Sequence, residues 1–425
     1  VKVLIVGNGG REHAIAWKLL QSKQIEKVFC APGNGGTVSL ENCQNLSSEV
    51  NDFESISQFA RAEAINLVVV GPEVPLANGI TDYLHAQGVM VFGPTRAGAQ
   101  IEASKAWAKA LMQEAGIPTA KAAVFTDVAA AKSYVKSQGA PIVVKADGLA
   151  AGKGVIVAET VEKAQAAVEA IFQGQFGSAG KFVVIEEFLT GQEVSVLALC
   201  DGITIRPLLP AQDHKRIGEG DTGENTGGMG AYAPAPIATP TLMAQVQTQV
   251  FDRAVATLRA KGIDYRGVLY AGLMISPEGE FKVLEFNCRF GDPETQVILP
   301  LLETPLEELM LACVQQRLAE MPPIAWKSGA AATVVAASGG YPGVYEKSKV
   351  ITGIDSALAL GAVVFHAGTK LGQQLVTDGG RVLNITGVGE NFEQALAQAY
   401  AAVECIQFEG MYYRRDIGHR LKKIG

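Results

Sequence analysis

Residues 141–158 read Pro-Ile-Val-Val-Lys-Ala-Asp-Gly-Leu-Ala-Ala-Gly-Lys-Gly-Val-Ile-Val-Ala, and this stretch decides the fold around it. It looks like a phosphate loop and fails the test for one. That motif needs four residues between its glycines and a hydroxyl residue after the lysine. Here three residues separate Gly148 from Gly152, and Gly154 follows Lys153. The segment after the loop, Val155-Ile156-Val157-Ala158, is short, β-branched and strand-like, where a phosphate loop would open a helix. Strand, glycine-rich loop, strand is a flap that can close over phosphates. A flexible surface hairpin is the bland alternative.

Working outward, Lys121–Asp127 and Lys181–Leu189 read as strands, and 127–138 and 161–173 as helices. With the flap strands they form a small lobe of about 75 residues. The lobe exits through Glu186-Glu187-Phe188-Leu189, with Glu193 four residues further on. An exit strand can offer backbone groups to an adenine edge and a carboxylate to ribose hydroxyls, but an exposed strand end would look the same. Before the lobe, 104–116 reads as a helix closed by Gly116 with Pro118 just beyond.

Residues 1–100 alternate four short apolar strands with amphipathic helices, which predicts a parallel, doubly wound sheet. Each strand runs into a Gly-, Pro- or Asn-rich loop: GNGG, APGNGG, GPE (with Glu73) and GPT. Ligands sit at that edge in such sheets. The first loop, Gly7-Asn8-Gly9-Gly10-Arg11-Glu12-His13, opens a helix and suits a small phosphate-bearing ligand. A dinucleotide fingerprint would want Gly or Ala where Glu12 stands, and an acid where the second strand ends in Cys30-Ala31-Pro32. A purely structural tight turn is the remaining reading.

After the lobe, 194–323 opens with a strand pair turning at Asp201-Gly202, then a polar Gly-rich stretch from Gln212 to Gly230, a helix, and two strands joined by PEGE. The second of these, FKVLEFNCRF, puts Glu285, Asn287 and Arg289 on one face. A carboxylate and an amide oxygen two residues apart suit Mg²⁺, which takes few protein ligands. Arg289 could clamp a carboxylate or phosphate oxygen. A solvated strand face is the alternative. Residues 326–425 are strand-rich with a closing helix at 391–404.

Composition sets the frame. At roughly 100–200 residues per domain, 425 residues imply two to four domains. With 48% hydrophobic and 19% charged residues the chain folds, and a net charge of −7 argues against a general nucleic-acid or membrane-surface binder. No apolar run approaches the ~18 residues of a membrane span, and the first residues do not read as a signal peptide. Six scattered cysteines without C-x-x-C read as reduced thiols in a cytoplasmic protein.

Taken together these residues resemble the ATP-grasp ligases. The segments VGNGGREHA, APGNGGT, VVGPEVPL, IEASKAWAK, PIVVKADGLAAGKGV, VIEEFLTGQE, QDHKRIGEGDTGENTGGMGAY, EFNCRFGDPETQ and GGRVLNITG carry the resemblance. It points to the branch that joins glycine to 5-phosphoribosylamine in purine biosynthesis. It implies an α/β multi-domain chain: a Rossmann-like domain at 1–102, a lid lobe at 103–193, an ATP-grasp central domain at 194–323 and a small strand-rich domain at 324–425. It implies ATP and Mg²⁺ (or Mn²⁺), small-molecule substrates, no nucleic acid, no membrane, and a monomer or weak homodimer. By resemblance, Lys105 and Lys145 reach the nucleotide phosphates, and Asp147, Gly148, Gly152, Lys153 and Gly154 cover them. Glu186, Glu187 and Leu189 meet adenine, and Glu193 the ribose. Glu285 and Asn287 hold the metal. Arg289 and Asp292 serve catalysis with Lys145. Asn8, Gly9, Gly10, Glu73, Asp213, Lys215 and Arg381 line the substrates. Strand 270–275 lacks the further carboxylate that many ATP-grasp relatives place there, so the number of ligands per metal stays open. Another ATP-grasp enzyme, such as a carboxylase, and a non-catalytic nucleotide-binding regulator are the competing readings.

Overall fold

The computed structural model describes residues 1–149 and 154–423. Its first unit is a parallel five-stranded sheet, in the order Cys43–Asn45, Lys27–Pro32, Lys2–Gly7, Leu67–Val70, Val91–Phe92. The central strand is buried from Val3 to Gly7, as a sheet covered on both faces requires. Four strands were expected. The extra one, Cys-Gln-Asn, is three residues long and carries no apolar run to betray it. A helix missing from the sequence reading, Arg96–Ala103, ends at Ser104. Ser104 then caps the next helix, Lys105–Ala115, by accepting the Trp107 N–H, and Gly116 closes that helix in the left-handed conformation.

The small lobe is an antiparallel sheet, in the order Ala122–Phe125, Val183–Glu187, Ile142–Ala146, Val155–Ala158. Helices Val128–Gln138 and Val161–Phe172 cover one face, where Val144, Ile185, Val168 and Ile171 form a core of the lobe's own. Strand alternation puts Val124, Val143, Lys145, Val157 and Glu186 on the opposite face. Helix Lys105–Ala115 buries Ala108, Leu111 and Met112 in a different cluster, shared with the first unit and the central sheet.

The central sheet orders Ile205–Pro207, Gln192–Asp201, Arg266–Ile275 and Phe281–Asn287, all antiparallel. Its first hairpin turns at 201–204, where Asp201 Oδ1 accepts the N–H groups of Ile203 and Thr204. The last strand does not continue through Arg289 as its pattern suggested. It stops at Asn287, because the next N–H, of Cys288, donates to Glu102 at 2.8 Å and leaves the ladder.

A fourth sheet follows. Strand Gly230–Ala233 pairs with Ala330–Ala337, in a sheet ordered Gln212–Asp213, Gly230–Ala233, Ala330–Ala337, Arg381–Gly389, Val363–His366. The polar stretch after Gln212, which reads as loop, thus supplies two strands of that sheet. It also forms a hairpin, Arg216–Gly218 with Thr222–Asn225. Helix Phe392–Val403 packs on the sheet. All six cysteines are free thiols, four of them buried. Among the described residues no helix is long and apolar enough to cross a membrane.

Candidate active site

The uncovered face of the lobe looks onto the last central strand. Lys145 Nζ lies 3.5 Å from Leu284 O, and Lys282 pairs with Glu187 at 2.6 Å. Lys145 and Glu186 are both buried on this face and paired at 2.9 Å. Glu187 also accepts the Lys121 N–H, and Leu189 lies half-buried beyond the ladder. Lys105, at the start of its helix, donates to Gly148 O at 2.8 Å. Asp147 accepts from Ser104 Oγ and from the Ala106 N–H, both at 3.1 Å, so it ties the flap to that helix. Gly148 turns the chain at φ +99°, where a side chain would be strained and its Cβ would stand 3.1 Å from Ala179 Cβ. Gly154 O accepts the Ala146 N–H, closing the base of the flap. Gly152 and Lys153 lie outside the described residues.

Glu285 pairs in register with Gly272 and Asn287 with Tyr270, a bulge at Gly272/Leu273 separating Glu285 from the ladder below it. Burial pushes the Glu285 carboxyl upward. Lys215, Lys145, Lys105 and Arg289 outweigh that and keep it below the usual carboxylate range. An ionised hard oxygen beside a buried amide is the donor pair Mg²⁺ accepts. Among the described residues no group of three His, Cys, Asp or Glu side chains has metal-site geometry.

Just past the strand, Arg289 lies between two carboxylates, Glu102 at 2.8 Å and Glu73 at 3.2 Å. Burial raises Glu102 above the ordinary range despite Arg289; Glu73, also desolvated, is kept low by Arg289 and Arg11.

Asp292 reaches the first loop of the chain. Its Oδ2 accepts the Arg11 N–H at 3.1 Å and its Oδ1 accepts from Gln296 Nε2 at 2.9 Å, while Arg381 Nη1 donates to Asp292 O at 3.0 Å. Asn34 braces the same loop, donating to Asn8 O at 2.9 Å and to His366 O at 2.7 Å. Asp292 thus links Arg381 to the residue that follows Gly10. The helix start is not an empty anion cradle, however. The Gly9 N–H already donates to Glu12 Oε2 at 2.6 Å, and the Arg11 N–H to Asp292. Behind it, Gln296 Oε1 and Asn384 Oδ1 are buried without a partner among the described residues.

Lys215 pairs with Glu193 at 2.5 Å. Burial lifts the Asp213 carboxyl to about 7; Lys215 opposes the rise, and Glu294 and Glu193 add to it. Nearby, Ser195 Oγ, Tyr270 OH and Glu294 Oε1 form a closed buried set at 2.8–3.1 Å.

The sequence reading missed Glu102, Glu294, Tyr270, Asn34, Gln296 and Lys109. Lys109, one helical turn after Lys105, pairs with Glu186 at 3.2 Å and is almost wholly buried. Its spacing from Lys105 was the available signal. The set as a whole can hold a polyphosphate and a divalent cation between lobe and central sheet, with a carboxylate–guanidinium corner beside them.

Comparison with known proteins returns one consistent set. The profile described as phosphoribosylglycinamide synthetase matches in three parts: its N domain at residues 1–102, its ATP-grasp (A) domain at 103–295 and its C domain at 331–420. A Nostoc protein named phosphoribosylamine–glycine ligase is 79% identical, over 99% of this chain and 100% of its own. The crystal structure of phosphoribosylamine–glycine ligase from Thermotoga maritima is similar at 35% identity and a TM-score of 0.84, covering 98% of this chain and 100% of that one. The biotin carboxylase domain of Hydrogenobacter thermophilus 2-oxoglutarate carboxylase, solved with MgADP and bicarbonate, shares the fold at 16% identity and a TM-score of 0.70, over 97% and 91% of the two chains.

Proposed function

The chain belongs to the phosphoribosylglycinamide synthetase family, and from that premise we propose how its residues carry the reaction. It is an ATP-dependent carboxylate–amine ligase of purine biosynthesis. It joins glycine to 5-phosphoribosylamine, giving glycinamide ribonucleotide, ADP and phosphate. The reaction proceeds through glycyl phosphate in the cytoplasm. A carboxylate is a poor electrophile, and phosphorylation gives it a leaving group.

Lys105 and Lys145 neutralise the transferring phosphoryl group, with the flap residues Asp147, Gly148 and Gly154 keeping water away. Adenine lies against the lobe exit, at Glu186, Glu187 and Leu189, and Glu193 accepts from the ribose. Glu285 and Asn287 hold Mg²⁺ (or Mn²⁺), which supplies charge neutralisation at the phosphates. Arg289, kept in place by Glu73 and Glu102, orients the glycine carboxylate. Asp292 faces the amine of phosphoribosylamine. Its 5-phosphate lies toward Arg381 and the Asn8–Gly10 loop, on the side away from Glu12. Asp213 and Lys215 line the substrates from the Gly-rich stretch. Bringing acyl phosphate and amine together supplies much of the rate.

The observation that carries this reading is the field around Glu285. The charges of Lys215, Lys145, Lys105 and Arg289 converge on one half-buried carboxylate. Such a centre suits the terminal phosphates and metal, where γ-phosphoryl transfer happens.

ADP release should require ATP, glycine and phosphoribosylamine together. Glycine labelled with ¹⁸O in its carboxylate should pass one label to inorganic phosphate. Pyrophosphate as product, or label in AMP, would replace this chemistry with adenylation.

A further inference from the structure

Glu186 is shared. Its Oε1 stands 3.2 Å from Lys109 Nζ and its Oε2 2.9 Å from Lys145 Nζ, and all three side chains are buried. The two lysines differ in their other contacts. Lys109 is anchored inside the protein: its Nζ donates to Thr119 Oγ1 at 2.7 Å and to Ala120 O at 3.4 Å, and Thr119 Oγ1 in turn donates to Val283 O at 2.6 Å. Among the described residues Lys145 has one further contact of this kind, a long one to Leu284 O at 3.5 Å, on the open face of the lobe. The cluster carries two positive charges against one negative.

We propose that Lys109 is a positioning residue for nucleotide binding: by keeping Glu186 neutralised, it lets Lys145 turn from that carboxylate to the phosphates. This rests on the reading above that Lys145 meets phosphate. A buried carboxylate stripped of every cation is strongly disfavoured. With Lys109 present, Glu186 keeps a partner after Lys145 leaves. With Lys109 absent, Lys145 is the sole counter-ion among the described residues, and each phosphate it touches must compete with Glu186. The lost affinity therefore depends on phosphate and not on adenine. Lys105 cannot replace Lys109, because it is directed to Gly148 O at the flap.

Titration calorimetry of the whole enzyme with MgATP, MgADP and adenosine, without the other substrates, tests this. Lys109→Met should weaken ATP and ADP by about tenfold or more, and adenosine by less than about twofold. Lys109→Arg should restore the ATP-to-adenosine ratio. Glu186→Gln removes the competing carboxylate, so it should leave that ratio within about threefold of wild type and should rescue it in the Lys109→Met background. Equal weakening of all three ligands in Lys109→Met, no weakening, or a ratio in Glu186→Gln as poor as in Lys109→Met would each overturn the proposal. The Glu186→Gln arm remains decisive if Lys109→Met does not fold. Lys145→Met separates the two readings. An unchanged ratio there removes the phosphate role of Lys145 itself, whereas a lowered ratio there with a normal one in Lys109→Met removes only the positioning role.

Discussion

The carboxylate of Asp292 accepts the backbone N–H of Arg11 at 3.1 Å, across 281 residues of sequence. One oxygen thereby fastens the first helix of the chain to the loop that follows strand Phe281–Asn287. Burial pushes this carboxyl upward, but Arg381, Arg11 and Gln296 outweigh it, and its pKa lies below the ordinary value. The native state therefore binds fewer protons than the unfolded chain as pH falls through the carboxylate range. The stabilisation is complete above the unfolded pKa of about 3.9 and is lost as pH drops through the native one. Asp292→Asn should lower stability at pH 7 and show a shallower loss between pH 5 and 3. Urea midpoints for the two proteins at those pH values check this, and parallel curves would contradict it.

Asp213 should behave in the opposite sense. Its native pKa of about 7 exceeds the unfolded value, so the folded protein holds a proton that the unfolded chain has released between about pH 4 and 7. Stability from this group is full below pH 4 and declines as pH rises to 7, by no more than about 1.4 kcal/mol per pH unit. Asp213→Asn should gain stability relative to wild type as pH is raised through that window. A difference between the two that does not change with pH would refute it.

Glu285→Ala should reduce ADP formation by about a hundredfold or more while leaving the circular dichroism spectrum unchanged. Activity within a few-fold of wild type at ordinary Mg²⁺ would remove the metal assignment.

The first loop needs two variants of different kind. A Cβ on Gly10 would stand 2.4 Å from Asn384 Nδ2 and 2.7 Å from Gln296 Nε2, both fully buried amides. Gly10→Val should therefore lower the melting temperature and impair all three substrates together. Arg381→Met, which removes the guanidinium beside Asp292, should instead raise the KM for phosphoribosylamine by about tenfold with ATP and glycine little affected. Equal shifts in all three KM values would deny Arg381 a specific role.

Much of this was legible in the sequence. That Glu285 and Asn287 share a face follows from strand alternation. The parallel sheet of the first unit follows from apolar strands alternating with helices. Pairs made by the fold were not legible. Glu102 meets Arg289 from 187 residues away, and no local pattern encodes that contact. Lys109 reads as one more solvated charge on a helix until the lobe folds Glu186 over it. The strands within the polar stretch after Gln212 have no alternation to display, because their partners, Ala330–Ala337 above all, supply the burial.

That last pairing has a consequence for how such chains can be recombined. Strand Gly230–Ala233 precedes strand Phe281–Asn287 in sequence but lies in register with Ala330–Ala337. A crossover placed anywhere between residues 234 and 329 would separate the two donors of one ladder. A grafted C-terminal part from a distant homologue would have to reproduce the edge offered by Gly230–Ala233, or leave its carbonyls and N–H groups orphaned. The small lobe, with a core of its own, could be exchanged without cutting a sheet. Chimaeras joined at the lobe boundaries should therefore inherit a working body, while those joined through the shared sheet inherit half a ladder.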